Sequence, residues 1–169
     1  NLLTDGLMGL GLGMEPAEKD VMERPPRKKE ARILGKRQVF HVTWSGTLIA
    51  FITLAVGAYY FDPAQPQDPY WQTMLFATLG FTQIGHAIGL RSAGHNAFSL
   101  TSNPLLTLLT LLTIALQLAA IYLPFFDEFF MLTPLEGMDL LISIVLGLML
   151  LVAVRLEKYY SGLRRLNGD

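Results

Sequence analysis

Asn1, Thr4 and Asp5 set an amide, a hydroxyl and a carboxylate within five residues, at the edge of an apolar run, Asn1-Leu2-Leu3-Thr4-Asp5-Gly6-Leu7. On a helix turning about 100° per residue, Asn1 and Asp5 lie roughly 40° apart and Thr4 falls on the same side. All three present oxygen, the donor that calcium, magnesium and manganese prefer. A carboxylate at membrane depth costs about 2.5–3.5 kcal/mol on insertion scales, so it normally faces a partner or a pathway. The same spacing suits an N-cap, with Asn or Asp beginning an ordinary helix. Spacing alone leaves both open.

The elements that must position these residues are membrane helices. Half of the residues are hydrophobic, few are charged and the net charge is −1, which argues against nucleic acid as a partner. There are no cysteines, so disulfides and thiolate metal sites are excluded. The chain begins with Asn and shows no signal-peptide pattern, so it is expected to be a fragment or a processed piece.

The expected fold is all-α, a polytopic membrane bundle of one partial helix and four transmembrane helices. Residues 1–13 are too short to cross a bilayer, which takes about 20 apolar residues, and read as half a helix. Gly9, Gly11 and Gly13 are expected to loosen and end it, or to belong to a flexible tail. Residues 14–38 form a polar, basic loop. A short helical turn is expected from Pro16 to Met22, then a basic run through Arg27, Lys28, Lys29, Arg32, Lys36 and Arg37. That run suits a solvated loop under the positive-inside rule, or a docking surface for cytoplasmic domains or anionic lipid.

Residues 39–157 hold the four spans, at about 39–61, 70–90, 104–123 and 137–156; residues 158–169 are the tail. Aromatic residues stand at both ends of the first span, with Phe40, His41 and Trp44 at its basic end. Ser45 and Gly46 would let a neighbour approach. The second span carries Thr82, Gln83 and His86, with Gly85 and Gly89 spaced for close packing; Gln83 and His86 are expected to face that contact. A lone His makes no metal site, so His86 reads as a packing histidine before a proton-handling one. Ser102 or Asn103 can cap the third span, with Pro104 in its first turn. Thr107, Thr110, Thr113 and Gln117 share one side of it, suiting bonds to their own helix or a neighbour, or a transport path. Phe125, Phe126, Phe129 and Phe130 read as an interfacial element. Asp139 is expected to be solvated or capping.

Charge sets the topology. All thirteen Lys and Arg lie before the first full span, in the middle connector, or at the closing end of the last span and the tail, and the two acid-bearing turns carry none. With four spans these basic segments share one side, and the positive-inside rule makes the basic loop and the tail cytoplasmic.

The opening stretch, followed by Glu15-Pro16-Ala17-Glu18-Lys19-Asp20-Val21-Met22-Glu23-Arg24-Pro25-Pro26-Arg27, resembles the sixth transmembrane helix and following loop of cation-pumping P-type ATPases. The nearest branch is that of calcium and sodium/potassium pumps, and the resemblance covers essentially the whole chain. It implies that Asn1, Thr4 and Asp5 bind the transported cation, with calcium leading and manganese, sodium and potassium behind. Met8 stands where the family usually has Pro. Gln83 aligns with a Glu on the eighth helix of two-site calcium pumps, and Gln there resembles single-site pumps; interhelical hydrogen bonding is the competing role. The phosphorylation motif Asp-Lys-Thr-Gly-Thr and Gly-rich nucleotide elements do not occur in the chain. The resemblance therefore assigns ATP and magnesium to missing domains and makes this part non-catalytic alone. Its expected partners are membrane lipid and the remaining helices and cytoplasmic domains of the same pump. The competing classes are a free-standing four-span protein with a structural or regulatory role, and a secondary transporter or channel fragment. The second would usually show internal repeats, and none is evident.

Overall fold

The computed structural model describes residues 2–16, 22, 35–91 and 103–166. Asn1, most of the polar loop with the expected turn after Pro16 and the basic run from Arg27 to Arg32, and the connector 92–102 lie outside the described residues.

Among the described residues five long or half-length helices and one short one account for the fold: α1 (Leu2–Gly13), α2 (Lys36–Tyr60), α3 (Tyr70–Gly89), α4 (Pro104–Tyr122), α5 (Asp127–Phe130) and α6 (Gly137–Leu166). A single 3₁₀ turn, Pro124–Phe126, leads into α5. Helices lie at the four segments read as spans, the last continuing to Leu166, and three of them, α2, α4 and α6, are long and apolar enough to cross a membrane. Asn103 starts α4 as anticipated. Its side chain accepts a hydrogen bond from the Leu106 amide at 2.9 Å, and Pro104 fills the first turn, where a missing N–H costs nothing.

α3 is the axis of the bundle. It packs against α1 and α4 on one side and α2 and α6 on the other. Its buried residues include Met74, Ala77, Phe81, Ile84 and Ala87 and three threonines, Thr73, Thr78 and Thr82. The hydroxyls are satisfied inside the protein: Thr82 donates to Thr78 O at 2.8 Å, and Thr78 shares a hydrogen bond with Ser143 of α6 at 3.1 Å. A helix surrounded by protein can carry polar groups that lipid would reject.

The outer helices show the reverse pattern. α2, α4 and the Gly137–Tyr160 part of α6 are long and apolar enough to cross a membrane, with mean hydropathies of 1.7, 2.1 and 2.5. Phe51, Leu54, Leu108, Leu111, Leu148 and Val152 point outward. So much exposed apolar surface is untenable in water and suits lipid. The chain is an integral membrane protein.

Glycines set how closely α3 and α6 approach. A Cβ on Gly85 would lie 2.8 Å from the Gly147 carbonyl carbon, and one on Gly147 would lie 2.8 Å from the Phe81 carbonyl carbon. Backbone meets backbone there, as the small-residue spacing anticipated. Gly46 behaves otherwise: nothing lies within 4 Å of its added Cβ, so it does not serve close approach. At the opposite end, Asp139 is neither solvated nor simply a cap. Tyr60 and Tyr70 each donate a hydroxyl to its carboxylate, and Tyr70 also accepts from the Glu136 amide at 3.2 Å. The clamp ties the adjoining ends of α2 and α3 to the start of α6.

Candidate cation site

α1 turns Thr4, Met8 and Gly11 toward the bundle, a spacing of four and three that keeps one helix face inward. Met8 packs on Ala87, Leu106 and Leu109. Helix α1 passes unbroken through Met8, so the replacement of the family's usual Pro leaves continuous helix here. Gly11 lies against α4: an added Cβ would stand 2.7 Å from Leu106 Cδ1 and 3.1 Å from Leu106 Cα. The helix ends at Gly13 as expected, but Gly11 serves packing and not release.

A polar knot holds that end. Asn103 Nδ2 donates to Gly11 O at 2.9 Å and to Glu15 Oε2 at 2.8 Å. Arg91, only 4% exposed, donates from Nε to Glu15 Oε1 at 3.4 Å. The cation of a buried pair is expensive to hold unless its partner is well placed. Here Asn103 fixes the Glu15 carboxylate and the end of α1 together. The open carbonyls at the end of α3 are met from α6: Arg155 Nη2 donates to Ile88 O at 3.3 Å, and Lys158 Nζ donates to Leu90 O and to Arg91 O. Cations at a helix C-terminus satisfy orphan carbonyls and oppose the dipole.

The expected ligands separate by helix face. Thr4 is buried at 7% exposure and lines a cavity of about 270 Å³ with Phe76, Thr113 and Gln117. Asp5, one residue further round, is on the exposed side of α1. Asn1 lies outside the described residues.

Gln83 departs from expectation in direction. Gly85 faces α6, and Gln83 is two residues away, roughly 200° round the helix. It falls instead on the side of Gly80, which meets Gln117 of α4, and of Ala87, which meets Met8 of α1. Its Oε1 is buried with no hydrogen-bond partner among the described residues. An orphaned acceptor of this kind costs about 1–3 kcal/mol.

The α4 hydroxyls do what the local reading expected. Thr107, Thr110 and Thr113 donate to the carbonyls four residues back, Asn103, Leu106 and Leu109, at 3.2, 2.7 and 2.8 Å. Gln117 reaches across to α3, donating from Nε2 to Phe76 O at 3.0 Å. Among the described residues no three His, Asp or Glu side chains converge in a metal-binding group. The set is one carboxylate with neutral oxygens, suited to a hard cation and short of the roughly 6–8 oxygens that calcium takes. Sequence reasoning missed Glu15, Arg91 and the pairing of His41 with Glu157. These contacts join residues 67 or more positions apart, with no local signal beyond burial of polar types in apolar surroundings.

Taken together, the helices form an all-α, polytopic membrane domain whose first, half-length helix carries Thr4 and Asp5. Residues 1–160 match the family model described as cation transporting ATPase, C-terminus, and the chain belongs to that family. Three relatives show the range of similarity. An endoplasmic reticulum calcium ATPase, srcA, of Aspergillus fumigatus is 27% identical over 168 residues, covering 80% of this chain and 17% of the relative. A calcium-transporting ATPase of Bacillus subtilis is 34% identical over 128 residues, covering 73% and 14%. The human calcium-transporting ATPase type 2C member 2 is 30% identical over 147 residues, covering 83% and 15%. The chain thus spans about a sixth of the length of these relatives.

Proposed function

We propose that this chain is the C-terminal membrane part of an ATP-driven calcium pump, supplying part of the transported ion's coordination and the bundle that supports it. Asp5, Thr4 and Asn1 are the ligands on α1, and Gln83 is a further oxygen donor from α3. The observation that carries this is the Gln83 Oε1: it is buried with no hydrogen-bond partner among the described residues, on a residue at the α1-facing side of α3. A bound cation would satisfy it and remove the penalty of an orphaned acceptor. Asp5 on the open side of α1 fits a carboxylate whose other ligand-bearing helices lie beyond this chain. ATP and magnesium act in domains outside it. Coupling runs from aspartyl phosphate formation there to movement of α1, which changes the affinity of the site.

Four crossings complete the topology. α3 has 20 residues, about 30 Å at 1.5 Å per residue, enough for the hydrocarbon core. It is less apolar than its neighbours because its polar side chains face protein. Both basic ends then lie on the cytoplasmic side, with the Asp139 clamp opposite. The test is cation-dependent phosphorylation of the full-length pump carrying Asp5→Asn. A loss of calcium affinity of at least tenfold is expected, since a charge-bearing ligand contributes more than about 1.4 kcal/mol. Wild-type affinity would refute the role of Asp5.

A further inference from the structure

Three helices meet near the basic end of the bundle through side chains that the proposed cation site does not use. Glu157 Oε2 on α6 lies 2.7 Å from His41 Nδ1 on α2. His41 Nε2 faces His86 Nε2 on α3 at 3.3 Å. The ring centroids are 5.4 Å apart, close to that nitrogen gap plus two ring radii, so the imidazoles meet nitrogen to nitrogen and not face to face. At one end the chain opens on a cavity of about 410 Å³ lined by Arg37, Gln38, His41, Leu90, Glu157 and Lys158. At the other, His86 adjoins Ala87, which packs with Met8 of α1. The charged groups facing the pair are thus Arg37 from α2, and Glu157 and Lys158 from α6.

The direction of the hydrogen bonds follows from donor and acceptor capacity. An ionised Glu157 only accepts, so His41 Nδ1 donates to it and His41 Nε2 is left as an acceptor. His86 Nε2 must then be the donor between the rings, which leaves His86 Nδ1 bare. Every donor in the chain points from α3 toward the cavity. Two fully protonated rings would set N–H against N–H, so the pair carries one extra proton at a time.

We propose that His86, His41 and Glu157 form a proton relay that drains protons from the α1 side of the bundle into the cavity at its basic end. It rests on the proposed function in that α1 is taken to carry the cation ligands. A proton bonds to His86 Nδ1, and the Nε2 proton of His86 passes to His41 Nε2. The Nδ1 proton of His41 passes to the Glu157 carboxylate, which releases it to water in the cavity. Each hop breaks one N–H or O–H bond and makes another, and one proton leaves for each that enters. Rotation of the two rings restores the starting tautomers.

The experiment uses the full-length pump reconstituted in vesicles, with a pH dye on the basic-end side and a rapid calcium jump. In His41→Ala, proton appearance slows by about 10- to 100-fold, the range expected when a proton-transfer group is lost. Millimolar imidazole restores it, because the missing ring can be replaced from the cavity. His86→Gln and Glu157→Gln slow it as well, without imidazole rescue. Equilibrium calcium-dependent phosphorylation stays at the wild-type level in His41→Gln, which keeps the side chain polar and tests folding. Wild-type proton appearance in His41→Ala overturns the relay, and so does slowing that imidazole does not relieve. Asp5→Asn in the same vesicles separates the two proposals. Unchanged calcium affinity there refutes the cation site, whereas only the histidine variants speak to the relay.

Discussion

Gly85→Ala tests the packing of the bundle at its tightest point. The added methyl would sit 2.8 Å from the Gly147 carbonyl carbon, against an ordinary carbon–carbon separation of about 3.5–4.0 Å. The shortfall at that carbon is therefore about 0.7–1.2 Å, and the Gly147 carbonyl oxygen lies nearer still. The obstacle is backbone on α6, which cannot rotate away as a side chain can. α3 and α6 must part locally, and a radial gap of roughly 0.5–1 Å already forfeits a quarter to a half of each contact's attraction. Phe81, Ile84, Leu150, Leu151 and Val154 are the buried residues that would loosen. Overpacking of this kind costs about 1–3 kcal/mol, and the rigid neighbour puts Gly85→Ala at the upper end. Gly46→Ala is the control. It meets nothing within 4 Å, and exchanging helical Gly for Ala gains up to about 1 kcal/mol. The assay is fluorescence-detected thermal unfolding of the full-length protein in mild detergent. Gly85→Ala should lower the midpoint by several degrees, while Gly46→Ala should leave it unchanged or raise it. Equal shifts in the two variants would refute the claim that backbone contact at Gly147 governs the helix separation.

The remaining predictions concern polar groups. Asp139→Asn should destabilise by about 1.5–3 kcal/mol through weaker acceptance from two tyrosine hydroxyls. A double-mutant cycle with Tyr70→Phe should show coupling, and strict additivity in the same thermal assay would discredit the clamp. Arg91→Ala should cost about 3–5 kcal/mol by leaving Glu15 buried without its ion-pair partner. Glu15→Gln with Arg91→Met should recover most of that, and failure of the double variant to recover would show that Arg91 acts through something other than Glu15. Gln83→Leu should stabilise the cation-free protein by about 1–3 kcal/mol, by removing a buried orphan acceptor, and weaken calcium binding. Unchanged binding would remove Gln83 from the ligand set. Gln83→Glu should add a second ion to the transport stoichiometry, read as calcium carried per ATP, if the position works as the aligned Glu does.

Much of the fold is legible along the chain because membrane helices announce themselves locally. Long apolar runs, aromatic ends, the Asn103-Pro104 start and basic segments between them need no knowledge of tertiary contacts. The small spacing of Gly85 and Gly89 likewise announces close packing, though not that α6 is the neighbour. What the sequence conceals is angular. Gln83 seemed to share the glycine face, yet two residues on a helix is more than half a turn, which sets it nearer the side of Ala87 that meets α1. Gly46 resembles Gly85 in type, but it stands beside open space. The roles of Asp139, Glu15 and Glu157 were not legible, because their partners Tyr60, Arg91 and His41 lie far along the chain and come near only once the helices assemble. For the candidate site, residue types were legible from the first five positions; which of them turn inward was not. Thr4 is inside and Asp5 outside because Met8 and Gly11 fix the rotation of α1.

The knot at Glu15 has a mechanical consequence. α1 is fastened near one end by Asn103 and Arg91, while its far end meets no comparable restraint among the described residues. Ten residues separate Glu15 from Asp5, about 15 Å at helical rise. A swing of roughly 10° about that fulcrum therefore carries the Asp5 carboxylate by about 2.6 Å, a whole calcium–oxygen bond length. A slight tilt at the fastened end thus becomes a large excursion at the other.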